Sequence, residues 1–192
     1  MDPLQILQVV VSTLEKLGVP SMIVGSFASS SHGFPRLTQD LDLVAQLNRN
    51  QVEGFIAAFS PDFYLDQGLI EQAVTDQTSF NIIHLESSFK VDIFPLPRGG
   101  YVEEEFSRRV LKQIDPRTDF AAYVQSAEDA LLSKLDWYHR GGEVSENQWR
   151  DVIGILRIQG GRLDVEYLEK WAEELGISDL LLQARQEVAL NP

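Results

Sequence analysis

The chain has 192 residues, 44% of them hydrophobic, which suits one domain, or one domain with a compact appendage, around a proper core. Its net charge of −13 is spread along the chain with no basic block. That argues against a long surface that tracks nucleic acid, which needs clustered Lys and Arg to displace counter-ions. Cysteine is absent, so disulfides and thiolate metal sites are excluded.

No apolar run approaches the roughly 20 residues that cross a bilayer, and the acidic start MDPLQILQVV lacks the basic leader of a signal peptide. The expectation is a cytoplasmic protein with no membrane partner. A metal–nucleotide substrate stays compatible with the acidity, because the ion brings its own positive charge.

Taken in order, Pro3 to Leu17 reads as a first helix. Leu4, Leu7, Val10, Val11, Leu14 and Leu17 form one stripe, Pro3 suits the first turn and Gly18 stops the helix. Ser21–Val24 is a short apolar strand that ends at Gly25-Ser26. A glycine lets backbone approach a phosphate closely, and a following helix start offers free N–H groups, to which Ser26 adds a hydroxyl. A plain strand-to-helix turn is the alternative. A small-residue helix Phe27–His32 follows, then a polar loop with His32, Gly33, Arg36 and Thr38. Arg36 has the fork that grips a triphosphate oxygen, or else forms a salt bridge to a neighbouring aspartate. His32 reads as a structural hydrogen-bonding residue before a catalyst.

The next strand carries Asp40 and Asp42. Residues two apart on a strand share a face, so both carboxylates point one way while Leu41 and Leu43 enter the core. Paired carboxylates repel unless a cation sits between them, and the arrangement suits Mg²⁺ or Mn²⁺ brought with the phosphates of a nucleoside triphosphate (NTP). A helix Gln51–Phe59, capped by Asn48 or Asn50, precedes a short strand Phe63–Leu65 and a short helix Gly68–Val74. Ser79–His84 and Lys90–Phe94 read as a hairpin across Glu86-Ser87-Ser88. Asp92 alternates with Val91 and Ile93, so it faces away from both. Pro95, Pro97 and Gly99-Gly100 read as the exit from the sheet, Tyr101–Arg109 as a charged segment whose Glu103-Glu104-Glu105 run is a solvated face, and Tyr123-Val124 as a final edge strand.

From Ser126 the chain turns helical. Ser126 caps a helix to about Arg140, and Ser145 with Gln148 opens one to Gly160-Gly161. Asp164 caps a third through Leu175, and Ser178 starts a last one to about Val188. The expected division is an α/β core over residues 1–124 and a helical subdomain over 125–192. Lys134 and Asp151 stand beside apolar helix faces, where a helix–helix salt bridge is the plain reading. Trp137, Trp149 and Trp171 read as packing residues.

Gly25-Ser26 followed after thirteen residues by Asp40-Leu41-Asp42 resembles the signature of the nucleotidyltransferase superfamily, the polymerase-beta-like fold. The string Arg36-x-Thr38-x-Asp40-Leu41-Asp42 is similar to that of many small bacterial nucleotidyltransferase-like proteins. The span Glu128-Asp129 to Lys134-Leu135 and on to Asp151 looks like the C-terminal half of AbiEii-type toxins. The resemblance implies an α+β fold: a nucleotidyltransferase-like mixed sheet flanked by helices, then a C-terminal helical bundle. It implies a third carboxylate on a later strand, for which Asp92 is the candidate.

It also implies that Lys134 contacts the triphosphate and that Asp151 positions Lys134 or a substrate. Gly25, Ser26, Arg36 and Thr38 would then hold the nucleotide. The activity implied is transfer of a nucleoside monophosphate from an NTP to an acceptor hydroxyl, a tRNA end or a small molecule, with an antitoxin or a second copy of the chain as protein partner. A module with the same fold that binds nucleotide or protein and catalyses little is the alternative.

Overall fold

The computed structural model describes residues 1–36, 38 and 40–190. The chain divides into two compact units, one made of Met1–Val24 with Thr38–Val124, the other of Gly25–Leu37 with Gln125–Pro192.

The first unit is a mixed sheet with helices. Among the described residues it has seven strands in the order β3-β4-β5-β2-β1-β7-β6. They are β1 Ser21–Val24, β2 Asp40–Ala45, β3 Phe63–Tyr64, β4 Phe80–His84, β5 Lys90–Pro95, β6 Val110–Gln113 and β7 Ala121–Val124. The helices of this unit are α1 Pro3–Lys16, α3 Val52–Phe59, α4 Gln67–Asp76 and α5 Gly100–Ser107.

Helix α1 opens with a capping box that Pro3 had obscured: Asp2 Oδ1 accepts from the Gln5 amide at 2.9 Å, and the Asp2 amide donates to Gln5 Oε1 at 2.8 Å. Its apolar stripe buries Ile6, Leu7, Val10, Val11 and Leu14. One sheet face carries Ile23, Leu41, Leu43, Val91 and Ile93, all buried. Phe55 of α3 lies edge-on to Phe80, the register partner of Ile93, with ring centres 5.7 Å apart.

The sheet does not end at Pro95. After α5 the chain returns as the hairpin β6–β7, and β7 lies inside the sheet, parallel to β1 and antiparallel to β6. The edge strand on this side of the sheet is therefore β6, not Tyr123-Val124. Val110–Gln113 has no burial alternation that a sequence pattern would reveal, since Val110 and Leu111 are both exposed. The charged segment after Gly100 folds as α5, and of the Glu103-Glu104-Glu105 run expected to be solvated it buries Glu105, along with Phe106.

The second unit contains α2 Gly25–His32, α6 Ala127–Arg140, α7 Glu146–Gln159, α8 Val165–Glu174 and α9 Ser178–Leu190. Ser126, Ser145 and Asp164 cap α6, α7 and α8 as their side chains predict. The short, small-residue α2 packs against α6 and α7. The reason lies in two glycines. A Cβ on Gly33 would stand 2.8 Å from the Ile155 amide nitrogen, and one on Gly154 would stand 3.0 Å from the Phe34 nitrogen. Backbone meets backbone here, so neither side can yield cheaply. Gly154→Ala is a sensitive test, because the two effects have opposite signs. Helix propensity favours alanine by ~1 kcal/mol, whereas overpacking costs ~1–3 kcal/mol. We expect net destabilisation in urea unfolding; a rise in midpoint would mean that the contact is absent.

No helix among the described residues is long and apolar enough to cross a membrane.

Candidate active site

The candidate residues fall into two groups, each within one unit. In the first, β2 and β5 run parallel and pair without a break from Asp40 beside Lys90 to Ala45 beside Pro95. Register partners share a face about 4.8 Å apart. Asp42 therefore stands beside Asp92, and Asp40 beside Lys90, two residues further along the same face. Three carboxylates and one ammonium occupy the corners of a quadrilateral. The row continues to Val24 on β1 and Asn81 on β4. One residue pair further on, the same face turns apolar: Met22 and Val44 are buried with Phe106 of α5. The carboxylates thus sit at the wet end of a face whose other end is closed by α5.

Within this group the Thr38 hydroxyl lies 2.9 Å from the Asp40 carbonyl oxygen and 3.1 Å from Asp40 Oδ1, sharing one proton between them. Lys90 Nζ lies 2.6 Å from Asp92 Oδ2. The hydrogen bond to Asp92 raises the Lys90 pKa against an opposing effect of burial, helped by the charges of Asp92, Asp40 and Asp42. Sequence reading missed Lys90, although the spacing Lys90-x-Asp92 on a strand was enough to put both on one face.

The donor chemistry fits a divalent ion. All three groups are hard oxygen donors of the kind divalent ions take, and the Lys90 ammonium is held on Asp92. Among the described residues, no group of three or more His, Cys, Asp or Glu side chains stands ready to hold a metal. The contact between Lys90 and Asp92 is part of the arrangement as it stands.

The second group is built on α2, the loop after it, α6 and α7. Gly25 opens α2 with φ +64°, a left-handed backbone conformation that glycine adopts without penalty. Asp151 is 5% exposed and Lys134 4%. Lys134 Nζ lies 3.0 Å from Asp151 Oδ2, and Arg36 Nε 3.1 Å from Asp151 Oδ1. The Ser29 hydroxyl is 3.0 Å from Asp151 Oδ2 and 3.1 Å from the Ser26 carbonyl oxygen. Both cations also reach one hydroxyl: Lys134 Nζ is 3.4 Å from Ser26 Oγ, and an Arg36 terminal nitrogen donates to the same oxygen.

Burial by itself would push the Asp151 carboxyl up. The Arg36 hydrogen bond and the Lys134 charge and hydrogen bond outweigh it and hold the group below the usual carboxylate range. Arg36 therefore pairs with an aspartate 115 residues away, a partner that no local pattern in the sequence signals. Ser29 was also missed, though it lies one helical turn from Ser26. His32 is structural in these contacts: its Nε2 lies 2.8 Å from the Gln125 carbonyl oxygen, and its own carbonyl accepts from Gln159 Nε2 at 2.6 Å.

A mixed sheet of this order, with helices and a run of C-terminal helices, is the α+β nucleotidyltransferase fold. A crystal structure of an antigenic nucleotidyltransferase-like protein from Paracoccidioides brasiliensis matches 96% of this chain over 89% of its own, with TM-score 0.60 and 18% identity. The solution structure of the antibiotic-resistance factor ANT(2'')-Ia matches 97% of this chain over 99% of its own, with TM-score 0.55 and 15% identity. At those identities the likeness is one of fold. No family model matches the chain, and no curated protein matches it in sequence.

Proposed function

We propose that this chain is a metal-dependent nucleotidyltransferase that moves a nucleoside monophosphate from an NTP to an acceptor hydroxyl. The observation that carries the proposal is the β2–β5 register, which sets Asp42 beside Asp92 with Asp40 on the same face. Like charges so placed are destabilising by themselves, and a divalent ion is the simplest group that relieves them. The shared fold supports the reading.

In the proposal Asp40, Asp42 and Asp92 are the ligands for Mg²⁺ or Mn²⁺. Such an ion, when bound, neutralises phosphate charge and lowers the pKa of a bound hydroxyl. The chain's own residues do the rest. Thr38 fixes the Asp40 carboxylate through its hydroxyl. Ser26, Arg36 and Lys134 converge as donors suited to phosphate oxygens, with Gly25 permitting close backbone approach. Asp151 is the positioning residue that aims both cations.

The acceptor class follows the resemblance in sequence: a tRNA end, as for AbiEii-type toxins with a cognate antitoxin, or a small-molecule hydroxyl. A weakly catalytic binding module of the same fold is the second reading, favoured by the Lys90 ammonium standing on Asp92. Incubation with each labelled NTP, Mn²⁺ and either total RNA or a panel of hydroxyl-bearing antibiotics separates these. Label transfer with release of pyrophosphate is the expected result. Calorimetry that detects NTP binding with no transfer to any acceptor would favour a nucleotide-binding module, and no binding of any NTP would overturn the transferase and leave only a protein-binding module of the same fold.

A further inference from the structure

We propose that Lys90 is an exchangeable counter-ion built into the carboxylate face: it holds Asp92 when no divalent ion is bound and gives way when one binds, so that it sets the metal affinity of the site. The proposal rests on the reading of Asp40, Asp42 and Asp92 as metal ligands.

Lys90 is the register partner of Asp40 and lies two residues before Asp92 on β5, so all four side chains project from one face. Its Nζ touches Asp92 Oδ2 at 2.6 Å. With Lys90 in place the four charges sum to −2, and without it to −3. An ion arriving at the face must therefore compete with a positive charge already seated on one of its ligands. The competitor is able to leave. Lys90's side chain is 45% exposed while that of Asp92 is 19% exposed, and a four-carbon stem can carry the ammonium into water at little cost. An arginine or a buried lysine would not exchange so freely. The free ion then binds weakly. An ion delivered on an NTP binds well, because the phosphates offer the displaced ammonium a new partner. Lys90 thereby biases the site toward the metal–nucleotide complex over the bare ion.

The test measures Mn²⁺ binding to the full chain by electron paramagnetic resonance and by thermal shift, without nucleotide. Lys90→Met should bind Mn²⁺ at least about tenfold more tightly than wild type, since one repelling charge within contact distance is removed. Lys90→Gln gives a second neutral replacement if Lys90→Met folds poorly. In EDTA both variants should melt below wild type, and saturating Mn²⁺ should raise their melting temperature more than it raises that of wild type. If both variants bind Mn²⁺ with wild-type affinity while Asp42→Asn abolishes that binding, the metal site stands and the role of Lys90 is overturned. If wild type, both Lys90 variants and Asp42→Asn are all indifferent to Mn²⁺, the metal reading itself fails and takes this proposal with it.

Discussion

Asp42→Asn should lower nucleotidyl transfer by about 10³-fold while leaving the protein as stable as before, or slightly more stable. The two halves of that expectation have one cause. Asp42 is the middle carboxylate of the set: Asp92 is its neighbour across the strands and Asp40 its neighbour along the strand. Asparagine keeps the shape and loses the charge. In the metal-free fold this removes repulsion between directly opposed like charges, worth ~0.2–1 kcal/mol. In the reaction it removes one anionic ligand, and a loss of about 4 kcal/mol in transition-state stabilisation is about 10³ in rate. A carboxylate kept for structure would behave the other way, costing stability when removed. Parallel measurement of transfer rate and urea midpoint decides it. A variant that is destabilised by more than ~1 kcal/mol with unchanged transfer would assign Asp42 a structural role.

Asp151→Ala should be the most destabilising single change in the helical unit, by ~3–5 kcal/mol. Asp151 pairs with both Lys134 and Arg36, and Lys134 is 4% exposed. Removing the anion leaves a buried ammonium facing a guanidinium. At this chain length that corresponds to a fall in melting temperature of roughly 10 °C. Replacing both members, as Asp151→Leu with Lys134→Met, should recover much of the loss, because the desolvated charges go together.

The pH dependence carries a sign that can be checked. The folded Asp151 carboxyl sits below its ordinary value because Arg36 and Lys134 outweigh the effect of burial. Its contribution is fully present above the unfolded pKa of about 3.9 and is lost as pH falls below that value through the depressed folded one. The stability gap between wild type and Asp151→Ala should therefore be constant at neutral pH and shrink below about pH 4. A gap that persists unchanged at acid pH, or an Asp151→Ala variant within 0.5 kcal/mol of wild type as roughly expected of an exposed pair, would remove the charge cluster from the account.

How much of this was legible before folding differs from residue to residue. Asp40 and Asp42 declare a shared face, because strand periodicity is a two-residue rule and Leu41 and Leu43 mark the opposite side. Asp92 declares its face by the same rule between Val91 and Ile93. The caps Ser126, Ser145 and Asp164 and the glycines that end the helices were readable for a similar reason: a cap acts on the backbone within three residues of itself. Edge strand β6 was not readable, since an exposed strand need not alternate. The interior place of β7 was not readable either, since it depends on which strand β1 accepts as a neighbour.

The chain's order of residues by itself determined most of the elements, though not α5 or β6, the side on which each carboxylate stands and the acidic, cysteine-free chemistry available to the site. Those properties arise from contacts within about one turn or one strand pair, where few conformations compete. Only the tertiary structure decided which of these elements meet. The parallel pairing of β2 with β5 set Asp42 beside Asp92 and Lys90 beside Asp40. The packing of α2 on α6 and α7 through Gly33 and Gly154 brought Arg36, Ser29 and Lys134 onto Asp151. Such pairings close long loops, and their energy comes from burying whole faces against one another. A pattern of nearby residues records which face is apolar, but not which distant face will cover it.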